Sequence, residues 1–349
     1  MLRRSSDRRW LEVRAIDGAR GWITARYVAP EGDAAEPARS VVVEAGLPRR
    51  ARGAPARQPG RARFVSWNLR WFPDGSTGGP SATPTDVEWA ACILATLRAD
   101  VVALQEIVLS ERGRAAVATL ARRLGELTGG RFEARFDRCP RDGRQHVGWL
   151  VDVTRARILA EEQLDDVNPE GGCSHHLRPG HALYLRFARG LDLSAVVVHL
   201  DSGQAPRDSA HRRASFRVIA DAARRLSRAR RDGDVLVLGD LNTMGCSDCA
   251  PRVDAAAELA ALDAALAPAL RRVAARAACT ELYHGEGTLL DHALSTVSSR
   301  EVASGARVEV HGPCAQHRCH LPRGARPPML DHLSDHCPIA IELDARDLD

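Results

Sequence analysis

Lysine is absent from this chain, so all 49 of its basic residues are arginine. The chain is also rich in alanine, a combination typical of genome composition, and arginine content alone therefore does not indicate a nucleic-acid partner. Aromatic residues make up only 4% of the sequence. No run of about 18 apolar residues occurs, so we expect no transmembrane helix. A hydrophobic share of 44% still allows a substantial core in 349 residues.

The net charge of +4 is unevenly distributed. Residues 1–61 hold 13 arginines and 7 acidic residues, a balance of +6. The remaining 288 residues hold 36 arginines and 38 acidic residues, a balance of −2. The basic character therefore belongs to the N-terminal part, and the net charge of the larger part does not indicate DNA binding.

Nine cysteines are many for a chain in a reducing compartment. Six of them lie in predicted loops: Cys139, Cys173, Cys246, Cys249, Cys314 and Cys319. Loop cysteines in pairs favour disulfides and an oxidising compartment. The alternative is a structural zinc bound by the last four, although their spacing differs from that of a standard zinc finger. Cys92, in a helical pattern, and Cys337, at the start of a strand, are expected to be buried thiols.

The N-terminal residues predict a small β segment followed by a linker. Residues 9–29 hold two short strand patterns around the turn sequence "DGARG". Segment 1–30 resembles the last third of a bacterial SH3-like domain, a resemblance carried by Trp10, Gly21, Trp22 and Tyr27. This resemblance implies contact of the N-terminal segment with a cell wall. Residues 31–61 are rich in Pro, Ala, Gly and Arg and predict a flexible linker. No signal peptide is visible, since "MLRRSSDRR" has no apolar region. If the true start lies upstream, an export signal could lie there too.

From residue 62 onward, strand patterns alternate with helical patterns. The predicted strands are "RFVSWNL", "ADVVALQEI", "HVGWLVD", "HALYLRFA", "LSAVVVHLDS", "DVLVLGDLN", "LLDHALS" and "SDHCPIAIEL". The predicted helices cover residues 85–98, 111–127, 209–231 and 253–276. This order indicates an α/β sandwich with mixed sheets over residues 62–345. The arginines of helix 209–231 are expected on a solvated face opposite an apolar stripe.

Polar residues occur at strand ends where the apolar pattern predicts none. They are Asn68, Glu106, His199, Asp240 with Asn242, Asp291, and Asp335 with His336. A single residue of this kind is commonly a cap or a turn residue. A common site at one edge of a sandwich accounts for all of them together. Strand alternation further predicts that Asp240 and Asn242, two positions apart, face the same way.

The residue types fit one chemistry. Carboxylate oxygens come from Glu106, Asp240 and Asp335, and neutral oxygens from Asn68 and Asn242. Such donors suit Mg²⁺, with Mn²⁺ or Ca²⁺ as alternatives, rather than zinc. The two histidines suit proton transfer or contact with an anionic oxygen. Together these groups indicate metal-assisted hydrolysis of a phosphate ester.

The motifs "WN", "QE", "H-x-D", "GDLN", "LDH" and "SDH" occur in this order over residues 62–343. The order resembles the endonuclease/exonuclease/phosphatase superfamily, which includes deoxyribonuclease I, exonuclease III, bacterial sphingomyelinases and inositol polyphosphate 5-phosphatases. "GDLN" and "SDHCPI" are the most specific of these motifs. The resemblance implies a four-layer α/β/β/α sandwich with two mixed β-sheets, here preceded by the short N-terminal β segment and the linker.

The resemblance also implies roles for single residues. Metal ligands would be Glu106, Asn68, Asp335 and Asp240. Phosphate would be bound by Asn68, Arg178 of "HHLRPG", His199 and Asn242. The catalytic group would be His199, Asp240, Asn242, Asp291 and His336. Asp240 and Asn242 would position the attacking water or a second metal. His336, oriented by Asp291, would be the base or a hydrogen-bond donor to the transition state, and His199 an acid, as in the deoxyribonuclease-like branch.

One position departs from that branch. In deoxyribonuclease-like members, a glutamate in the strand before the arginine motif orients the first histidine. Here Arg144 or Gln145 falls at that position. His199 would then lack a carboxylate partner, which puts its role as an acid in question.

The function we expect is that of a divalent-metal-dependent phosphodiesterase, an endonuclease acting on DNA or RNA. We expect it to act as a monomer and outside the cytoplasm, given the cysteine content. A phospholipid, sphingomyelin or inositol-phosphate hydrolase of the same superfamily is the alternative. Sphingomyelinases often carry an exposed aromatic hairpin, for which the sequence offers few aromatic residues. A non-catalytic protein associated with the cell wall is a third hypothesis, and the complete set of polar strand ends argues against it.

Overall fold

The computed structural model describes residues 3–4, 10–14, 20–24, 58, 60–75, 83–140, 144–174, 176–322, 325 and 327–349. They belong to two compact units, residues 1–46 and 47–349. The first unit contains a three-stranded antiparallel sheet of β1 (Arg3–Arg4), β2 (Trp10–Arg14) and β3 (Arg20–Thr24). β2 and β3 are the two strands predicted around the turn. The turn, Tyr27 and most of the predicted linker lie outside the described residues, so the SH3-like resemblance stays a prediction.

The second unit contains two six-stranded mixed sheets and one small hairpin. The strands are β4 (Arg61–Phe72), β5 (Val101–Val108), β6 (Phe132–Phe136), β7 (Gln145–Asp152), β8 (Ala156–Leu164), β9 (Gly180–Phe187), β10 (Asp192–His199), β11 (Val235–Asp240), β12 (Leu270–Arg272), β13 (Glu281–Tyr283), β14 (Glu286–Thr288), β15 (Asp291–Thr296), β16 (Glu309–Val310) and β17 (Ile339–Asp344). The first sheet has the order β12-β15-β11-β10-β9-β8, and the second β16-β17-β4-β5-β7-β6. β13 and β14 form the hairpin.

Each sheet has a parallel pair near its centre, β10 with β11 and β4 with β5. The strands flanking these pairs run antiparallel. The sheets pack face to face through buried apolar side chains such as Phe64, Trp149 and Val197. Burying a large apolar side chain contributes about 1.5–3 kcal/mol to stability, so this interface is a major source of stability.

Helices cover the outer face of each sheet. They are α1 (Val87–Thr96), α2 (Glu111–Thr128), α3 (Pro206–Arg230) and α4 (Ala255–Leu266), with the short α5 (Pro313–Gln316) and α6 (Pro328–His332) and a 3₁₀ turn at Asp165–Val167. α1 and α2 pack on the second sheet, and α3 and α4 on the first. The predicted four-layer α/β/β/α sandwich is therefore confirmed. No helix in the described part of the chain is long and apolar enough to cross a membrane.

The helix predicted over residues 253–276 is too long. α4 ends at Leu266, and β12 follows. Pro268 explains the end, because a proline lacks the backbone N–H of a helical hydrogen bond and restricts the residue before it. The start of α4 agrees with its sequence, since the Asp254 carboxylate accepts a hydrogen bond from the Ala257 backbone N–H at 2.7 Å.

Eight of the nine cysteines form disulfides. The pairs are Cys139–Cys173, Cys246–Cys249, Cys279–Cys319 and Cys314–Cys337. The expectation of disulfides is met, and the zinc alternative does not fit, because its four cysteines are all bonded to other cysteines. Cys337, expected as a free thiol, is bonded to Cys314. Cys92 is the buried free thiol that its helical pattern predicted.

A buried ion pair connects the helical layer to the loops after β10 and β11. Arg212 was expected on the solvated face of its helix, but it is fully buried and its guanidinium binds Glu258 of α4 at 2.9 Å. The same guanidinium donates to the backbone oxygens of Asp201, Gly203 and Gly245. Arg212 therefore holds both loops against α3 and α4.

Candidate active site

The polar strand ends identified in the sequence gather at one edge of the sandwich. β4 and β5 run parallel, as do β10 and β11, so the carboxyl ends of each pair lie side by side. In the first sheet, His199 is in register with Asp240, and Asp240 with Asp291. In the second sheet, Asn68 is in register with Gln105, the residue before Glu106.

Hydrogen bonds join the two sheets at this edge. The Asn68 Nδ2 amide donates to Glu106 Oε1 and to Asp240 Oδ2, each at 3.0 Å. Asn68 is completely buried and Asp240 nearly so. One amide from the second sheet thus holds two carboxylates, one from each sheet, close together.

His336 lies against this core and is oriented by a carboxylate. Its Nδ1 is 2.8 Å from Asp291 Oδ2, and its Nε2 is 3.7 Å from Asp240 Oδ2. Burial opposes a charge on this imidazole, but the carboxylates of Asp291 and Asp240 outweigh it and raise the pKa of His336 well above its ordinary value. The predicted pairing of His336 with Asp291 is present in the geometry, with the imidazole favoured in its protonated form.

Asp240 is the most constrained carboxylate of the group. Its Oδ1 accepts a hydrogen bond from the Asn242 backbone N–H at 2.9 Å. Burial raises the pKa of Asp240 to about 7, with His336 lowering it and Asp291 raising it further. Concentrated negative charge without full compensation favours a proton or a cation at this position.

Asn242 departs from the alternation that the sequence predicted. β11 ends at Asp240, and Asn242 lies beyond it with φ of 50°. Its Nδ2 donates to the Leu200 carbonyl at 3.0 Å, so its amide braces the neighbouring strand end. The turn between the two residues therefore replaces a continued strand, and asparagine is among the residues that tolerate this left-handed conformation.

His199 has the environment that the departure at Arg144 and Gln145 predicted. Its Nε2 is 3.5 Å from Asp240 Oδ2 and 3.9 Å from Glu106 Oε1. Its Nδ1 is buried and has no hydrogen-bond partner among the described residues. Burial, followed by the charges of Arg178 and His336, holds the pKa of His199 well below its ordinary value.

Gln145 is one of the two residues predicted at the position of the orienting carboxylate. Its Nε2 donates to Glu106 Oε2 at 2.5 Å, and its Oε1 accepts from Arg178 Nη1 at 3.2 Å. Gln145 thus connects Glu106 with Arg178 instead of orienting His199. Burial lowers the pKa of Arg178, with Glu106 and Asp240 opposing that effect.

Asp335 stands apart from the other predicted ligands. Its Oδ1 is 3.4 Å from Ser334 Oγ, and within the described residues it forms no hydrogen bond with Glu106 or Asn68. Ser334 connects the two regions, since its Oγ donates to the Asn68 carbonyl at 2.7 Å. Asp335 also lines a neighbouring pocket with Arg70 and Tyr283.

The backbone is strained where the site is built. Glu106 has φ of 61°, and β5 shifts register between Leu104 and Ile107. A non-glycine residue in the left-handed region costs about 1–3 kcal/mol, which is typical of functional sites. Gly239 shows a related constraint, because a Cβ there would lie 2.0 Å from the Val198 carbonyl oxygen. This close approach explains the glycine before Asp240 in "GDLN".

A cavity of about 460 Å³ opens beside Glu106, Arg178 and His199. His176 also lines it, and its Nε2 is 3.0 Å from Asp201 Oδ1. Asp201 is buried, and its other oxygen contacts His211 Nδ1 at 2.7 Å. Sequence reasoning did not find this network, because His211 comes from α3 and pairs with a strand-end residue ten positions away.

Glu281 is a second residue that sequence reasoning missed. It lies on β13, with its Oε1 4.0 Å from His336 Nε2. Burial and the nearby acidic residues, opposed by His336, raise the pKa of Glu281 to about 7. No strand-end signal could have found it, because β13 is only three residues long.

The model of the Endonuclease/Exonuclease/phosphatase family matches residues 65–336. The chain belongs to this family. Curated protein sequences contain no significant match to it.

Solved structures extend the comparison of the fold. D. rerio TDP2 complexed with a single-strand DNA product is 17% identical, with a TM-score of 0.54, covering 81% of this chain and 98% of that one. An endonuclease/exonuclease/phosphatase from Bacteroides vulgatus is 14% identical, with a TM-score of 0.56 over 83% and 99% of the two chains. The Bacteroides thetaiotaomicron mannosyl-6-phosphatase is 15% identical, with a TM-score of 0.51 over 81% and 99%. At these identities the likeness establishes the fold of the family.

The residues present fit a divalent cation, which the family implies. Carboxylate oxygens of Asp240 and Asp291 and a ring nitrogen of His336 lie within 4.8 Å of one another. The protonated imidazole cannot bind a metal, so the carboxylates are the ligands that this group offers. The Oδ1 atom of Asp291 is buried and accepts no hydrogen bond from the described residues. Glu106 adds a further carboxylate beside Asp240. A buried group of this composition suits a hard cation.

Proposed function

We propose that the chain is a divalent-metal-dependent phosphodiesterase that hydrolyses nucleic acid as an endonuclease. The observation that carries the proposal is the joining of Glu106 and Asp240 by the Asn68 amide, with the oriented His336 beside them. This arrangement combines ligands for a hard cation with a cationic hydrogen-bond donor. Family membership supports phosphate-ester hydrolysis as the general chemistry.

We assign the cation to Glu106 and Asp240, with Asn68 and Asp335 as supporting ligands. A bound Mg²⁺ would offset the charge that develops on phosphate and favour deprotonation of water. Mn²⁺ or Ca²⁺ would suit the same oxygen donors.

The protein groups would divide the remaining work. Asp291 accepts a hydrogen bond from the Nδ1–H of His336, which would leave the Nε2–H to donate to a phosphate oxygen as negative charge develops. Arg178, held by Gln145 and by the His176 carbonyl, would neutralise phosphate in the adjacent cavity. Asn242 would keep the loop after β11 in place through Leu200, so that Asp240 holds its orientation.

Nucleic acid is the substrate class we favour. One relative of the same fold, D. rerio TDP2, is complexed with a single-strand DNA product. An exposed Tyr283 beside Asp335 offers a ring on which a base could stack. The second candidate is a sugar, lipid or inositol phosphate, because a Bacteroides thetaiotaomicron relative is a mannosyl-6-phosphatase. The described chain exposes few large apolar side chains, Leu159, Tyr283 and Val297, which is little for a lipid surface.

Plasmid nicking by the full chain tests this proposal. Nicking should require Mg²⁺, stop in EDTA and fall at least a hundredfold in Asp240→Asn, which removes the charge and keeps the shape. The melting temperature of the variant should stay within a few degrees of the parent, because the buried charge it removes is already unfavourable. Parent protein that is folded but inactive on DNA and RNA, yet hydrolyses a sugar or inositol phosphate, would favour the second candidate.

We further propose that the protein acts outside the cytoplasm, since four disulfides suit an oxidising compartment. Contact of the N-terminal segment with a cell wall and a monomeric state remain predictions. Comparing periplasmic with cytosolic expression of the full chain would test the proposed location outside the cytoplasm, with the yield of folded protein as the readout.

A further inference from the structure

A second group of carboxylates lies at the opposite end of β11 from Asp240. Asp232 and Asp234 belong to the turn that connects α3 to β11, and Asp349 lies beside them. One carboxylate oxygen from each lies within 4.8 Å of the others. Oxygens bound to one Ca²⁺ at about 2.3–2.6 Å are separated by at most about 5 Å, so a single ion can reach all three.

Two buried oxygens of this group accept no hydrogen bond, although the Asp234 carboxyl group also contacts Glu301 and Ser299. Asp234 is 3% exposed, and its Oδ1 accepts no hydrogen bond within the described chain. The Oδ2 of Asp232 is equally buried and equally unpartnered. Across the residues that the structure describes, no arginine or histidine forms an ion pair with any of the three carboxylates. A buried carboxylate without a partner is unfavourable, so its position requires a proton or a cation.

The surrounding groups hold the carboxylates in place instead of neutralising them. The Gly233 backbone N–H donates to Asp349 Oδ2 at 3.3 Å, and Glu301 Oε1 accepts from the Leu348 backbone N–H at 2.7 Å. Burial, together with the neighbouring acidic groups, raises the pKa of Asp232 to about 6 and that of Asp234 to about 8. The segment that ends in Asp349 is thus fixed against the turn at residues 232–234 although both carry carboxyl groups.

We propose that Asp232, Asp234 and Asp349 form a calcium-binding site, distinct from the catalytic edge. The donors are all hard oxygens, without histidine or cysteine, which suits Ca²⁺ rather than a transition metal. β11 spans the six residues Val235–Asp240, so at about 3.3 Å per residue the site lies roughly 17 Å or more from Asp240. A bound ion would join residues 347–349 to the first sheet and stabilise the folded chain.

Thermal unfolding and calcium binding of the full chain test the proposal, with Mg²⁺ present throughout to occupy the catalytic edge. Ca²⁺ at about a hundredfold above its dissociation constant should raise the melting temperature by about 5 °C. Asp349→Asn should abolish that rise and weaken calcium binding at least tenfold in equilibrium dialysis. Asp232→Asn should act in the same way.

Asp221→Asn is the matched control, because it removes the same charge from an exposed position on α3 but no oxygen from the group or from its contacts. It should keep most of the stabilisation, and hydrolysis with Mg²⁺ should be unchanged in all three variants. Equal stabilisation by Ca²⁺ in the parent and in Asp349→Asn would overturn the proposal. So would the absence of calcium binding by the folded parent, since the carboxylates would then be satisfied by protons alone. These readouts need no substrate, so they are independent of the proposed hydrolase activity.

Discussion

His199 differs from His336 in what holds its ring. Asp291 accepts a hydrogen bond from His336 Nδ1, whereas His199 Nδ1 is buried without a partner among the described residues. Burial keeps the pKa of His199 well below its ordinary value. A neutral imidazole in this position can donate a hydrogen bond from Nε2, but it is too weak an acid to protonate a leaving group at neutral pH.

The two histidines should therefore respond differently to the leaving group of the substrate. His199→Gln keeps a hydrogen-bond donor near the phosphate, so kcat/KM should fall by about tenfold for both p-nitrophenyl and alkyl phosphodiesters. His336→Gln should cost about a hundredfold or more. Steady-state kinetics on the two substrates provide the measurement. A much larger loss for His199→Gln on the alkyl ester would mean that His199 is the acid after all.

At this scale, sequence reasoning located the residues better than their contacts. A polar residue is easy to recognise in the otherwise apolar sequence of a buried strand. The residues recognised in this way are Asn68, Glu106, His199, Asp240, Asp291 and His336. The contacts of Gln145 with Arg178 and of Asp201 with His211 give no comparable signal in the sequence. Arg178 lies in a loop and His211 in a helix, and only the fold brings them near their partners. Glu106 likewise gives no sign in sequence of its left-handed backbone.

Among the elements, α3 and α4 determine the position of two site loops through Arg212. The guanidinium binds Glu258, and Glu258 Oε2 also accepts from the Gly245 backbone N–H at 2.7 Å. The helical pattern could not show that Arg212 is buried. Arginines occur all along this helix, so the sequence does not distinguish the one that points into the core from those on the surface.

Breaking this ion pair should destabilise the protein strongly. Arg212→Met leaves Glu258 charged and buried, which costs about 3–5 kcal/mol and should lower the melting temperature by about 10 °C. Arg213→Met, an exposed change on the same helix, should cost less than about 0.5 kcal/mol. Chemical denaturation measures both. If the two variants were equally stable, Glu258 would have to find another partner or a proton.

A second ion-pair group joins three neighbouring strands of the second sheet, the edge strand β16, β17 and β4. Arg63 of β4 is nearly buried and contacts Glu309 at 2.5 Å and Glu342 at 2.8 Å. His311 first, and Arg63 next, lower the pKa of Glu309 to about 2. The folded state therefore binds fewer protons at this carboxyl than the unfolded state between about pH 4.5 and pH 2.

Glu309 should consequently stabilise the fold at neutral pH and lose that effect in acid. Glu309→Gln should lower the melting temperature at pH 7, and the difference from the parent should shrink as the pH falls from 4.5 toward 2. Glu286→Gln, at an exposed position on β14, is the control and should change little at any pH. A difference that stayed constant across this range would exclude the ion pair as its origin.

For the whole molecule, the order of strands and helices in the sequence was sufficient to predict the sandwich. The edge strands of its sheets could not be predicted in this way. The central strands are continuous apolar runs, since they are covered on both faces. β8 escaped prediction because it is an edge strand with mostly half-buried side chains, and its sequence "ARILAEEQL" has a charged half. The disulfide partners were equally beyond reach, since connectivity depends on which loops meet in space.

Two of the disulfides adjoin residues of the candidate active site. Cys337 follows His336 and is bonded to Cys314, and Cys279 precedes Thr280 and Glu281 and is bonded to Cys319. Both therefore fasten residues 314–319 to strands that carry site residues. Reduction should lower activity together with stability, because the backbone on either side of His336 loses its anchors.

Alkylation with and without reductant tests the disulfide pattern of the whole chain. Unfolded in denaturant without reductant, the protein should take up one alkyl group, on Cys92, and after reduction nine. Cys92→Ser should take up none without reductant and should retain activity, because this thiol lies in α1, away from the site. More than one adduct on the unreduced parent would mean that a disulfide is absent. Full activity of the reduced protein would mean that the disulfides do not determine the geometry of the site.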